Sequence, residues 1–226
     1  MKRIVLGWFV VVAFLMSAVT STAWSEPLVG KDYSIIDPAL PRDDPAKIEV
    51  IEFFSYACPH CNDFNPSLMK WAGSLPADVT LRRVPVSFNP FYQLMAKVYY
   101  TLDAIGELPR LDAAMFDAIH NKGLRFVDEK SVRDWCASQG VDAKKFSDAF
   151  NSFGVDSKMK QANSLAQAAG IPGVPALVVG GKYVLQPHKF DEQLILASDL
   201  LDKVRGESMT KGKAVPAKPS GQKKKQ

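Results

Sequence analysis

The run Phe53-Phe54-Ser55-Tyr56-Ala57-Cys58-Pro59-His60-Cys61 sets two thiols two residues apart, where an apolar strand-like segment gives way to a helix-like one. Closing a loop this short removes little unfolded-chain entropy, so the pair is a poor structural staple and is better suited to reversible exchange. Pro59 fits a first helical turn, where its missing N–H costs little. Cys58 then falls at or just before the helix N-terminus, where unpaired N–H groups and the helix dipole favour a thiolate. On this reading Cys58 is the exposed, attacking sulfur. Cys61, one turn further in, is more buried and closes the pair.

Other uses of the spacing fit less well. A structural zinc site needs four ligands, yet outside the pair the chain has only Cys136 and three histidines, and no second C-x-x-C. A Cys-His hydrolase would find its nucleophile trapped by Cys61. His60, between the two cysteines, is expected to stabilise the Cys58 thiolate by charge or hydrogen bonding, which makes the disulfide the stronger oxidant. Strand alternation puts Glu52 on one face with Phe54. An acid buried there has a raised pKa and can serve as proton partner to Cys61, with Arg83 on the next strand as an ionic neighbour. Cys136, in Ser131-Val132-Arg133-Asp134-Trp135-Cys136, reads as a small buried hydrophobe. No cofactor and no metal are expected.

The N-terminus places this chemistry. Met1-Lys2-Arg3 is followed by an apolar stretch to Val19, and Ala23-Trp24-Ser25 offers small residues for cleavage before Glu26. Residues 1–25 therefore read as a secretory signal peptide rather than a membrane anchor, and the mature chain belongs in an oxidising compartment. At the other end, the chain from Lys203 carries eight Lys or Arg against Glu207 alone, so the formal charge of +4 conceals a mildly acidic body. Residues 206–226 are expected to be a disordered, solvated, Lys-rich tail with no nucleic-acid partner.

Between these ends the periodicity is mixed. Strands are expected at Tyr33-Ser34-Ile35-Ile36, as an edge, then at Ile48-Glu49-Val50-Ile51-Glu52-Phe53-Phe54 and Val79-Thr80-Leu81-Arg82-Arg83-Val84. The last two, joined by a helix, should pair in parallel through a right-handed crossover. Helices are expected over 91–105, 111–120, 130–139, 143–152 and 157–169. A hairpin follows through Gly180-Gly181, and a final helix over 190–204. So long a helical block between strands predicts an α/β domain built from residues 26–89 and 170–205, interrupted by a helical domain at 90–169.

Cys58-Pro59-His60-Cys61, preceded by Glu52-Phe53-Phe54-Ser55 and followed far along the chain by Gly173-Val174-Pro175-Ala176, resembles the DsbA family of periplasmic thiol:disulfide interchange proteins. The likeness runs from Tyr33 to about Val204. It implies a thioredoxin-like fold with an inserted helical domain, and an enzyme that donates disulfides to newly exported proteins. It also implies a monomer in the periplasm, unfolded clients with free cysteines, and reoxidation by a quinone-linked inner-membrane partner of the DsbB type. By the same resemblance Pro175 is the cis-proline and Val174 a backbone contact for extended clients, while Glu52 is the buried acid. Arg83 departs from the lysine of a well-known relative, keeping the charge but not the geometry. A disulfide isomerase or reductase is the nearest alternative, and a noncatalytic chaperone or peptide-binding module the alternative from another class.

Overall fold

The structure, a computed structural model, describes residues 26–213 and the side chains of 26–209. The expected signal peptide and the end of the Lys-rich tail lie outside these residues. At the centre is strand β2 (Ile48–Phe54), every residue of which is buried. A strand covered on both faces needs apolar side chains in both registers, and Val50, Ile51, Phe53 and Phe54 supply them at 0% exposure. β2 pairs in parallel with β3 (Val79–Pro85) and antiparallel with β4 (Ala176–Val179). Strands β5 (Tyr183–Leu185) and β1 (Tyr33–Ile35) complete a five-stranded sheet in the order β1-β5-β4-β2-β3. The parallel pairing and the edge position of β1 are as the sequence predicts.

Alternation along β2 separates two cores. Ile48 and Val50 meet helix α1 (Pro59–Ala72) through Phe64 and Leu68, and helix α7 (Phe190–Lys213) through Leu194, Ala197, Leu200 and Leu201. Ile51 and Phe53 belong to the second core, shared with five helices inserted between β3 and β4. These are α2 (Pro90–Ala104), α3 (Leu108–His120), α4 (Glu129–Ser138), α5 (Ala143–Phe150) and α6 (Phe153–Ala169). Gly170 at φ 60° ends α6 in the left-handed conformation and releases the chain into the loop before β4.

Two insert helices begin three or four residues earlier than expected. α3 starts at Leu108 because Pro109 falls in its first turn, where proline starts a helix rather than breaking one. α6 starts at Phe153, since the Ser152 hydroxyl accepts the Val155 N–H at 3.2 Å and Gly154 lies in the first turn, where it is tolerated.

The larger correction concerns the C-terminus. Helix α7 continues through Lys213, whereas a disordered tail was expected from residue 206. Side chains fasten the added turns to the body. Arg205 holds Asp78 through bonds of 2.8 and 3.0 Å, Lys182 Nζ reaches Glu207 at 2.9 Å, and the Tyr183 hydroxyl pairs with Glu207. Composition alone carries no sign of these long-range partners. Among the described residues, no helix is long and apolar enough to cross a membrane.

Candidate active site

β2 delivers the chain to the start of α1, and the local sequence sets how the two thiols sit there. Cys58 is the N-cap of α1, with extended backbone (φ −92°, ψ 118°), and Pro59 opens the helix. The backbone N–H groups of His60 and Cys61 therefore point at the Cys58 sulfur. Hydrogen bonding from the Cys61 thiol, these two amides and the Tyr92 hydroxyl together outweigh the cost of burial. They bring the Cys58 thiol from an ordinary 9.0 down to about 6. Cys61 is the opposite case. It is 0% exposed, and burial, its bond to Cys58 and the nearby negative charge of Glu52 push its pKa well up. The two sulfurs are thus strongly unequal at neutral pH, Cys58 ionised and Cys61 a thiol, and both are free.

Cys58 was expected to be exposed, but it shows only 4% of its surface. The cover is the loop before β4. Cys58 Sγ lies 3.5 Å from the Val174 carbonyl oxygen, to which the thiol donates. That contact suits the protonated sulfur; once ionised, the sulfur depends on the amides on its other side. Val174 and Pro175 are joined by a cis peptide bond, as is Asp37-Pro38, which the sequence did not reveal. His60 is exposed on the rim, where it lines a groove of about 540 Å³ with Val174, Pro175, Leu177, His188 and Phe190.

Beneath the motif, Glu52 is 0% exposed and its pKa is raised, chiefly by burial. The parallel register sets Arg83 of β3 directly beside it, and Arg83 Nε donates to Glu52 Oε2 at 2.6 Å. The guanidinium stacks 4.1 Å from the centre of the Phe54 ring. Its Nη1 donates to Asp112 Oδ2 at 2.7 Å, and Asp112 Oδ1 accepts the Tyr56 hydroxyl, also at 2.7 Å. Cys58, Cys61, Val174, Pro175, His60 and Glu52 thus gather in one region. Cys136 sits apart in α4, 0% exposed, with its thiol pushed up to about 12 by burial. Among the described residues, no three His, Cys, Asp or Glu side chains converge as metal ligands would.

Tyr92 and Asp112 had no part in the sequence reading. Tyr92 lies in the first turn of α2, fixed by the Asn89 cap whose side chain accepts its N–H at 3.0 Å. The sequence Asn-Pro-Phe-Tyr announces that helix start, but nothing in it says that the phenol meets Cys58. Asp112 reaches Arg83 from α3, a contact that only the docking of the insert creates.

A thiolate at a helix N-terminus, covered by a cis-proline loop and paired with a buried thiol one turn on, defines a dithiol–disulfide oxidoreductase on a thioredoxin-like fold with an inserted helical subdomain. Residues 49–195 match the sequence profile of the DSBA-like thioredoxin domain, and the chain belongs to the DsbA family. It is similar to the thiol:disulfide interchange protein DsbA of Bordetella parapertussis, 45% identical over 157 residues that cover 70% of this chain and 75% of that protein. The DsbA of Azotobacter vinelandii is 38% identical over 186 residues, covering 81% and 87%. Among solved structures, that of Pseudomonas aeruginosa DsbA superposes with a TM-score of 0.77 at 36% identity, over 80% of this chain and 95% of that one. The oxidoreductase DsbA from Xylella fastidiosa gives 0.77 at 32% identity, over 80% and 100%. The chain is therefore an enzyme of the thiol:disulfide oxidoreductase class.

Proposed function

We propose that the enzyme works as a disulfide donor in the periplasm, accepting extended, newly exported proteins at Cys58. The observation that carries this reading is the N-cap position of Cys58, with two backbone amides facing its sulfur while Cys61 is fully covered. In the oxidised enzyme a client thiolate attacks Cys58 Sγ. The Cys58–Cys61 bond breaks, and Cys61 leaves with the electron pair and takes a proton, for which Glu52 is the nearby buried acid. A second client thiolate then attacks the client sulfur of the mixed disulfide, and Cys58 leaves as the stabilised thiolate. The client gains a disulfide and the enzyme is left as the dithiol.

The groove lined by Val174, Pro175 and Phe190 supports binding of an extended chain beside the reacting sulfur. The apolar stretch after Met1-Lys2-Arg3 supports export. Return to the disulfide requires an external acceptor of two electrons, and a quinone-linked membrane partner of the DsbB type fits that need.

Oxidised enzyme mixed with a reduced two-cysteine peptide at neutral pH is expected to pass its disulfide to the peptide and end as the dithiol, read by quenched mass spectrometry. Equilibrium on the side of oxidised enzyme and reduced peptide would instead mark a reductase. His60→Ala keeps the backbone N–H and removes only the imidazole. It is expected to draw the equilibrium back toward oxidised enzyme, and an unchanged equilibrium would remove the ring from the account.

A further inference from the structure

Among the described residues, Arg83 is the one cation of the buried network beneath the redox pair, and it is divided between two carboxylates on different parts of the fold. Its side chain is 8% exposed, against 0% for Glu52 and 16% for Asp112. Nε serves Glu52 at 2.6 Å and Nη1 serves Asp112 at 2.7 Å, while Nη2 and Glu52 Oε1 are buried without partners. With both carboxylates ionised the network carries a net charge of −1 whatever the state of the thiols, and in the reduced enzyme a Cys58 thiolate adds another. One proton relieves this, and the geometry selects its place. Asp112 is satisfied at both oxygens, by Arg83 and by the Tyr56 hydroxyl. Glu52 has one oxygen with no donor, in the most buried position of the set.

We propose that Asp112, contributed by the helical insertion, is a positioning residue that draws the charge of Arg83 away from Glu52 and so keeps Glu52 able to hold and release the proton exchanged with Cys61. This rests on the reading of Glu52 as the proton partner of the buried thiol. The step balances without an added reactant. When a client thiolate cleaves the disulfide, the departing Cys61 sulfur takes the proton from Glu52, and on reoxidation the Cys61 thiol returns it. A Glu52 paired with Arg83 alone would stay ionised throughout and could supply nothing.

The groups that bear on Glu52 are few. Arg83 faces it from β3, Asp112 from α3, and Cys58 and Cys61 from the start of α1. Tyr56 and Tyr99 border Arg83 and Asp112, and His120 Nε2 lies 2.7 Å from the Tyr56 carbonyl oxygen. From β4 the register brings only Leu177. Among these, Asp112 is the one anion whose removal leaves both thiols and the cation in place. Its route to the site, from α3 through Arg83, ties the insertion to the chemistry of the α/β core.

The test is a carboxyl ¹³C NMR titration of Glu52 in the oxidised, full-length mature protein, with the pH profile of peptide oxidation by the same form. In the unaltered protein, Glu52 is expected to titrate above the ordinary carboxylate range, and a value within or below that range overturns the proposal. Asp112→Asn keeps a partner for the Tyr56 hydroxyl but removes the charge. It is expected to move the Glu52 titration, and the fall of the rate with rising pH, about one unit or more toward acid, a tenfold or greater loss of proton affinity. Asp112→Glu should restore both. If Asp112→Asn does not fold, Asp112→Ser removes the same charge and carries the same expectation. A variant that lowers only the melting temperature, with the titration unmoved, makes Asp112 merely structural. Glu52→Gln separates the two levels. If it erases the pH-dependent limb while Asp112→Asn leaves it in place, the inference about Asp112 alone falls. If Glu52→Gln leaves the limb intact, the proton-partner reading falls and takes this one with it.

Discussion

Replacing Cys58 by serine is expected to reduce disulfide transfer to the uncatalysed rate, whereas replacing Cys61 by serine removes the internal disulfide but should leave Cys58 able to exchange once it is activated as a mixed disulfide. The asymmetry follows from position. Cys58, at the N-cap, is the sulfur that two amides and the Tyr92 hydroxyl stabilise as the thiolate, so it is the better leaving group when a mixed disulfide resolves. Cys61 is fully covered, and burial holds it as a thiol. A client that meets the pair is therefore expected to bond to Cys58. Activated as a mixed disulfide with a small thiol, Cys61→Ser should pass through a client adduct at Cys58, visible on a nonreducing gel after acid quenching, and that adduct should persist with a one-cysteine client. Cys58→Ser should form none. An adduct carried by Cys61 in the Cys58→Ser protein, at a rate comparable with the unaltered enzyme, would reverse the assignment of the two sulfurs.

The second large effect lies in how the stability of the reduced protein depends on pH. A thiol brought from 9.0 to about 6 in the folded state contributes stability that is complete above the unfolded value and disappears as pH falls through 6. Three pH units at about 1.4 kcal/mol each make the whole contribution on the order of 4 kcal/mol. The oxidised protein has no such thiol. Between pH 6 and 9 the reduced form should therefore gain on the oxidised form with rising pH, a direction set by Cys58. Cys61 acts in the opposite sense and only beyond that window. Its pKa is raised on folding, so above about 9 the unfolded chain ionises where the native one does not, and the gain turns into a loss. Denaturant unfolding of both forms at pH 5, 7 and 9 measures this directly. A stability difference between them that does not change with pH would mean that the Cys58 thiolate is not stabilised by the fold.

The parts of this fold that were legible in the sequence are those fixed by local chemistry. The unbroken apolar run of β2, the double glycine of the β4–β5 turn and the helical period after Pro90 each impose one conformation. Gly181 shows why the turn is so explicit. Its φ is 69°, and a Cβ there would come within 2.7 Å of the Leu40 carbonyl oxygen, so backbone and neighbour both require glycine. What the sequence did not yield depends on contacts between distant segments. The continuation of α7 rests on Arg205 meeting Asp78, 127 positions away. The cover over Cys58 rests on Val174, 116 positions away, so a cysteine that local rules place outward is in fact roofed. At the site, Cys58, Cys61 and Glu52 were readable because spacing and strand alternation carry them. Tyr92 and Asp112 were not, because α2 and α3 bring them in only when the insertion docks. The pairing of Arg83 with Glu52 was half legible, since neighbouring strands suggested it and only the parallel register settles it.

Stabilisation of one thiolate by two amides, a phenol and a neighbouring thiol amounts to stabilisation of the reduced enzyme, and hence to an oxidising disulfide. The equilibrium of the Cys58–Cys61 pair with a glutathione redox buffer at pH 7 measures that quantity. The known potential of DsbA, roughly −120 mV, is the family reference, and that of thioredoxin is roughly −270 mV. A disulfide donor of this design should equilibrate near the first of these, and a value near the second would contradict it.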